Sequence, residues 1–200
     1  MLANTIIYPN NPNRLLNLNR PIMHTIFIHG TGGDSEETFF PWCREELEKL
    51  GVRTSAPDLP SSTEPDREAW IEAVLELYDH KDKTIFVGRS LGGSLIPYLL
   101  EMDNVRAKAA VSIAAPIDNL GWPNLVNFFS RPVDFAKAKK AAGKYYHWYS
   151  DDDPYIPLEH GLKYQSQLGG KFKVFPGRSH FYDEEFPELL EIIKDIYGLR

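Results

Sequence analysis

The chain has one cysteine, Cys43, among 200 residues, so it can close no disulfide within itself, which fits a reducing compartment. Long apolar runs are missing as well: none reaches the roughly 18 residues that a membrane span requires. Basic charge is scarce and dispersed, with 22 Lys and Arg against 28 Asp and Glu and a net charge of -6. A phosphate-binding groove needs Lys and Arg clustered away from carboxylates. The one basic cluster, Lys137 to Lys144, reads as the solvated face of a helix. Residues 1–22 hold Asn-Pro and Asn-Asn turn formers but no compact apolar segment, so no secretory signal is expected there. These absences argue against nucleic-acid and membrane partners and make the cytoplasm the expected compartment.

What is present suits a soluble globular chain, 42% hydrophobic and 25% charged, of a length that suffices for one α/β domain and falls short of two. Apolar, β-branched runs bounded by turn residues occur at about 24–28, 52–56, 84–88, 107–114, 145–149 and 172–175. Helical stretches fit between them, at about 40–50, 65–80, 91–101, 158–168 and 184–197. In the second of these, Trp70, Ile71, Val74, Leu75 and Tyr78 recur at three- and four-residue spacing behind an acidic first turn. Strands alternating with helices predict a mostly parallel sheet of about six strands, with helices on both faces and right-handed crossovers. No repeat or low-complexity segment breaks the alternation, so residues 23–200 are read as a single domain. Residues 1–22 are read as an extension, in which Ile6, Ile7 and Tyr8 offer an edge strand.

The strand Thr84 to Val87 runs into Gly88-Arg89-Ser90-Leu91-Gly92-Gly93 and then into a helix-compatible stretch. This is strand, G-x-S-x-G, helix. A serine held in such a sharp turn needs tiny residues two before and two after it, where the backbones close in. The turn also places Ser90 at a helix start, whose unpaired N–H groups favour a developing oxyanion. Leu91 N–H is the first expected donor. The second is expected from the loop after the first strand, His29-Gly30-Thr31-Gly32-Gly33, with Thr31 N–H the candidate. A dinucleotide fingerprint fails in that loop because position 35 is serine, and no Gly-Lys-Ser/Thr follows for a phosphate loop. No cofactor is expected.

With a nucleophile at Ser90, the acid and then the base should follow in chain order, which excludes His24, His29 and His80 as the base. His147 lies in an apolar strand and precedes the candidate acids, and His160 falls within a helix. His180, in Pro176-Gly177-Arg178-Ser179-His180-Phe181, lies just past the last strand, where catalytic groups of a parallel sheet belong. The acid is sought in Ser150-Asp151-Asp152-Asp153-Pro154, again just past a strand. Alternation in an extended segment sends Asp151 and Asp153 one way and Asp152 the other, so Asp153 is the choice and Asp152 the reserve. A metal reading of the triplet lacks a second cluster of ligands at suitable spacing. Asp118, Asp134 and Asp183 read as turn or cap residues. Cys43 is followed by Glu45 and Glu46, which would raise its pKa, so it is read as a packed helix cysteine.

Taken together these motifs resemble the α/β hydrolases, and more narrowly the family of retinoblastoma-binding protein nine and its bacterial serine-hydrolase relatives. The likeness runs from about residue 24 to the end. It rests on the His29 to Gly33 loop with Trp42 after it, the elbow around Ser90, the Phe129 to Phe135 stretch, the Asp152-Asp153-Pro154 loop and Gly177-Arg178-Ser179-His180-Phe181. It implies a compact three-layer α/β-hydrolase fold without a large cap domain. It also implies that the second carboxylate of the Asp-Asp-Pro loop, Asp153, is the triad acid. The chain departs from the pattern at Arg89, where such hydrolases commonly carry His, and at Val133 and Phe135, where tryptophans are often seen. Arg89 reads either as the partner of a carboxylate beneath the elbow, the favoured reading, or as a bias of the site toward an acidic substrate.

The interval from Ser90 to Asp153 has room for a crossover helix, a strand and a short excursion but not for a lid domain, so an open site is expected. The excursion, Gly121 to Phe135, carries Trp122, Leu125, Phe128 and Phe129. These read either as walls of a pocket for a small or aromatic acyl group or, for most of them, as the packed face of an amphipathic segment. Phe181, beside the histidine, is a further candidate. The expected activity is hydrolysis of a small ester or amide through an acyl-enzyme on Ser90. The rival reading is a binding or scaffolding protein built on the same fold, since relatives are known partly as partners of other proteins.

Overall fold

The computed structural model describes residues 23–79 and 83–199. The extension read into residues 1–22, with its edge strand at Ile6 to Tyr8, lies outside them. Six strands, β1 (His24–Ile28), β2 (Arg53–Ser55), β3 (Thr84–Arg89), β4 (Ala109–Ile113), β5 (Tyr145–Ser150) and β6 (Lys171–Phe175), alternate with six helices. The helices are α1 (Phe40–Lys49), α2 (Arg67–Leu75), α3 (Leu91–Leu100), α4 (Phe135–Ala141), α5 (Leu158–Leu168) and α6 (Pro187–Tyr197). The sheet order is β2-β1-β3-β4-β5-β6, every pairing parallel.

The two-residue period of the strands splits the core in two. Ile26, Ile28 and Phe86 pack with residues of α2 to α5, while Phe27, Ile85 and Val87 pack with α1 and α6. Both faces are thereby dry. The four central strands are buried along their whole length, as the near-continuous apolar runs require, and only the edge strands β2 and β6 keep exposed positions. Each fully buried Phe or Ile contributes roughly 1.5–3 kcal/mol relative to exposure.

Element ends moved for identifiable reasons. Asp66, placed inside a helix by periodicity, is the cap of α2: its carboxylate accepts Ala69 N–H at 2.9 Å, so the helix starts at Arg67 rather than at 65. Helix α6 starts at Pro187 rather than at 184, because proline is preorganised for the first helical position. In α4, Lys137, Lys139 and Lys140 face solvent while Ala138 and Ala141 are buried, the solvated face expected of the basic cluster. Asp134 caps that helix through Lys137 N–H at 3.0 Å, and Asp118 Oδ1 closes a turn on Leu120 N–H. Among the described residues no helix is long and apolar enough to cross a membrane.

Candidate active site

Four loops meet along the carboxyl edge of the sheet: Gly30–Gly33 after β1, Ser90 after β3, Asp153 after β5 and His180 after β6. This edge is where open parallel sheets present ligands and catalytic groups.

Ser90 is held by steric exclusion. Its backbone stands at φ 53° and ψ -126°, a conformation that costs a non-glycine residue about 1–3 kcal/mol and persists only where the surroundings enforce it. They do so from below. A β-carbon on Gly92 would overlap the Ile28 carbonyl, and one on Gly88 would overlap the Gly92 carbonyl. On the open side, a β-carbon on Gly30 would lie 2.8 Å from Ser90 Cβ and 3.3 Å from its Oγ, so the first loop rests directly against the hydroxyl. Ser90 N–H donates to the Ile113 carbonyl at 2.8 Å, tying the turn to the end of β4.

Backbone donors in this region divide cleanly. Gly30 N–H goes to Glu37 Oε1 at 3.3 Å, Gly32 N–H to the Ser62 carbonyl and Gly33 N–H to the Gly30 carbonyl. Among the described residues the Thr31 and Leu91 N–H groups make no such bond. Gly92 N–H makes none either; it and Leu91 N–H belong to the first turn of α3, where the N–H groups have no intrahelical partner. His29 fixes the loop from behind. Its Nε2 accepts Leu59 N–H at 2.9 Å, which leaves Nδ1 to donate to the Gly30 carbonyl at 2.8 Å.

Hydrogen bonds hold the histidine loop. Four consecutive side chains starting at the last residue of β5 reach four consecutive residues after β6. Asp151 Oδ1 accepts Gly177 N–H at 2.9 Å, Ser150 Oγ accepts Arg178 N–H at 2.9 Å, and Asp152 Oδ1 accepts Ser179 N–H at 2.7 Å. Asp153 Oδ2 meets His180 Nδ1 at 2.8 Å. The other Asp153 oxygen accepts Tyr155 and Ile156 N–H at 2.9 and 3.1 Å, and the carboxylate is wholly withdrawn from solvent. Asp151 and Asp152 thus turn toward the same loop as Asp153, unlike the opposite directions expected of an extended segment, and of the three only Asp153 reaches the ring. Asp152 keeps its proton off below the usual carboxylate range, because the Ser150 hydroxyl and then Ser179 N–H donate to it. His180 itself lies between Ser179 and Phe181, both at positive φ.

Arg89 finds the carboxylate expected beneath the elbow in Glu37, at 3.2 Å, with both side chains largely buried. Its Nε donates to the His180 carbonyl at 3.0 Å, and its guanidinium lies 4.9 Å from the centre of the Tyr182 ring. The ion pair thus joins the elbow, the histidine loop and, through Glu37 and Gly30, the loop after β1. Sequence reasoning missed Glu37. A charge next to Ser90 needs a buried partner, and that was the available signal.

The remaining candidates fall into place differently. Phe128 and Phe181 are fully buried core residues and have no surface to offer a pocket; Phe129 packs on the same core beside Phe128. The excursion is amphipathic, and its phenylalanines are its inward face. Trp122 alone of the four stands out into solvent. The aromatics that do flank the histidine, Tyr155 and Tyr182, were not anticipated. His147 donates Nε2 to the Gly169 carbonyl at 2.9 Å, with burial pushing its pKa down to about 4, and His160 accepts Ile117 N–H in the loop after β4; neither bond reaches Ser90, Asp153 or His180. Burial, with Glu46 adding to it, pushes the Cys43 thiol far up, so it is no nucleophile.

Comparison with known proteins agrees with this architecture. A sequence model described as the alpha/beta hydrolase family matches residues 25–149. Serine hydrolase RBBP9 of Rattus norvegicus is 26% identical over 176 residues, spanning 86% of this chain and 94% of its own. Putative hydrolase YdeN of Bacillus subtilis is 25% identical over 174 residues, spanning 84% and 91%. The crystal structure of the ydeN gene product of B. subtilis superposes with a TM-score of 0.81 at 21% identity, covering 88% of this chain and 99% of that one. Est1E from Butyrivibrio proteoclasticus gives 0.71 at 20% identity, covering 91% and 90%.

Proposed function

We propose that this chain, which belongs to the alpha/beta hydrolase family, is a cytoplasmic serine hydrolase that cleaves small esters or amides through an acyl-enzyme on Ser90. The observation that carries the reading is the buried 2.8 Å contact of His180 Nδ1 with Asp153, on a loop that Arg89, the neighbour of Ser90, grips by its carbonyl.

In the first half-reaction the Ser90 oxygen bonds to the substrate carbonyl carbon while Nε2 of neutral His180 takes the hydroxyl proton. Asp153 holds the proton on Nδ1, which leaves Nε2 free to accept, and balances the imidazolium that forms. The Leu91 and Thr31 N–H groups bind the oxyanion. The bond to the leaving group then breaks, and His180 hands its proton to that alcohol or amine. In the second half-reaction water adds to the ester carbonyl with His180 again as base; the acid departs and Ser90 regains its proton.

The test is turnover of p-nitrophenyl acetate. Ser90→Ala should lower kcat by on the order of 10⁴ or more. Hydrolysis at the wild-type rate by that variant would refute the assignment.

A further inference from the structure

Three large aromatic side chains stand exposed around the base rather than in the core: Trp122 at 39%, Tyr155 at 44% and Tyr182 at 56% of their full accessibility. They form a continuous row with it. Trp122 meets Tyr155 edge-on at 6.1 Å between ring centres, Tyr155 meets the His180 imidazole edge-on at 5.1 Å, and Tyr182 lies 5.9 Å from the same imidazole. The imidazole keeps only 7% of its own side-chain surface, so these rings are what solvent meets there.

None of the three is loosely placed. Tyr155 N–H is bonded to the carboxylate of Asp153, Tyr182 is backed by the Arg89 guanidinium, and Trp122 N–H closes a turn on the Asn119 carbonyl. The two charges that touch the row are spoken for, Arg89 by Glu37 and Asp153 by His180, so the surface offered is aromatic and uncharged, with the hydroxyls of Tyr155 and Tyr182 as its polar points. Such a surface favours a neutral aromatic ring, which stacks or meets edge-on, over a saturated ring of equal bulk.

The chemistry says which half of the substrate meets it. His180 delivers its proton to the leaving atom, so the imidazole borders the leaving group, and so do the rings that border the imidazole. Resting on the hydrolase reading above, we infer that the row Trp122–Tyr155–Tyr182 is a leaving-group subsite, selecting esters or amides whose alcohol or amine half carries a neutral aromatic ring.

A matched pair of acetates tests this, because both give the same acetyl-enzyme and differ only in the departing alcohol: 2-phenylethyl acetate and 2-cyclohexylethyl acetate. Wild-type kcat/KM should favour the phenyl ester by roughly tenfold, although the saturated ring is the more hydrophobic. In the Trp122→Leu/Tyr155→Leu variant the ratio should fall to within about twofold of one. The ratio is internal to each preparation, so an incompletely folded fraction leaves it unchanged. A wild-type ratio near one, or a tenfold ratio surviving in the double variant, overturns the inference. If neither acetate turns over while a fluorophosphonate still labels Ser90, the substrate class is wrong; if Ser90 does not label, the hydrolase reading fails and this one with it.

Discussion

Ser90 and His180 are positioned by opposite means. Around Ser90 the chain relies on excluded volume, with backbone carbonyls filling the places where β-carbons at Gly88 and Gly92 would stand. Around His180 it relies on a ladder of hydrogen bonds from Ser150, Asp151, Asp152 and Asp153, each to a different residue of the facing loop. Excluded volume is unforgiving, since a backbone carbonyl cannot turn aside as a side chain can. A ladder fails by degrees, because each rung is worth only about 0.5–1.5 kcal/mol, or somewhat more where the acceptor is charged.

The sharpest way to break this contrast is Gly92→Ala. The added methyl meets the Ile28 carbonyl, so the loss should exceed the roughly 3 kcal/mol usual for overpacking and lower the thermal midpoint by about 10 °C or more, followed by circular dichroism. On the ladder, Asp153→Asn should lower kcat by on the order of 10⁴ through the wrong imidazole tautomer. Asp152→Asn, one rung away and able to accept the same bonds, should cost less than about tenfold in the same assay.

The Arg89–Glu37 pair links the two regions. Glu37→Ala leaves a buried guanidinium unpaired and should lower the unfolding free energy by roughly 3–5 kcal/mol, read from urea midpoints. Replacing both partners with Arg89→Met/Glu37→Leu should recover most of that stability but not the turnover, because the His180 carbonyl and Gly30 N–H still lack their anchors.

The last effect concerns pH. His147 is held neutral in the fold with its pKa pushed down to about 4 by burial, so between about 6.5 and 4 the unfolded chain binds the extra proton. Stability should therefore be full above pH 6.5 and fall by on the order of 3 kcal/mol as pH drops toward 4. His147→Phe should flatten that part of the urea-midpoint profile.

The elbow, the order of strands and helices, and the places of Asp153 and His180 were legible because each has a local cause: a two- or 3.6-residue period, a glycine spacing, a loop just past a strand. Glu37, Tyr155 and Tyr182 were not. Their roles depend on loops distant in sequence meeting at one edge, and an exposed tyrosine or a loop glutamate leaves no periodic trace. Phe128 and Phe181 were misplaced for the converse reason: aromatics near a site look like pocket walls until tertiary packing shows which face they line. Even so, Tyr155 and Tyr182 each stand two residues beyond a triad candidate, and that spacing is visible in the chain.

The most direct test of the whole account is to treat the folded protein with a fluorophosphonate and map the adduct by peptide mass. The account predicts one phosphonyl group, on Ser90, formed at least 10³-fold more slowly in Asp153→Asn. A folded protein that takes up no label, or takes it up at another residue, would contradict it.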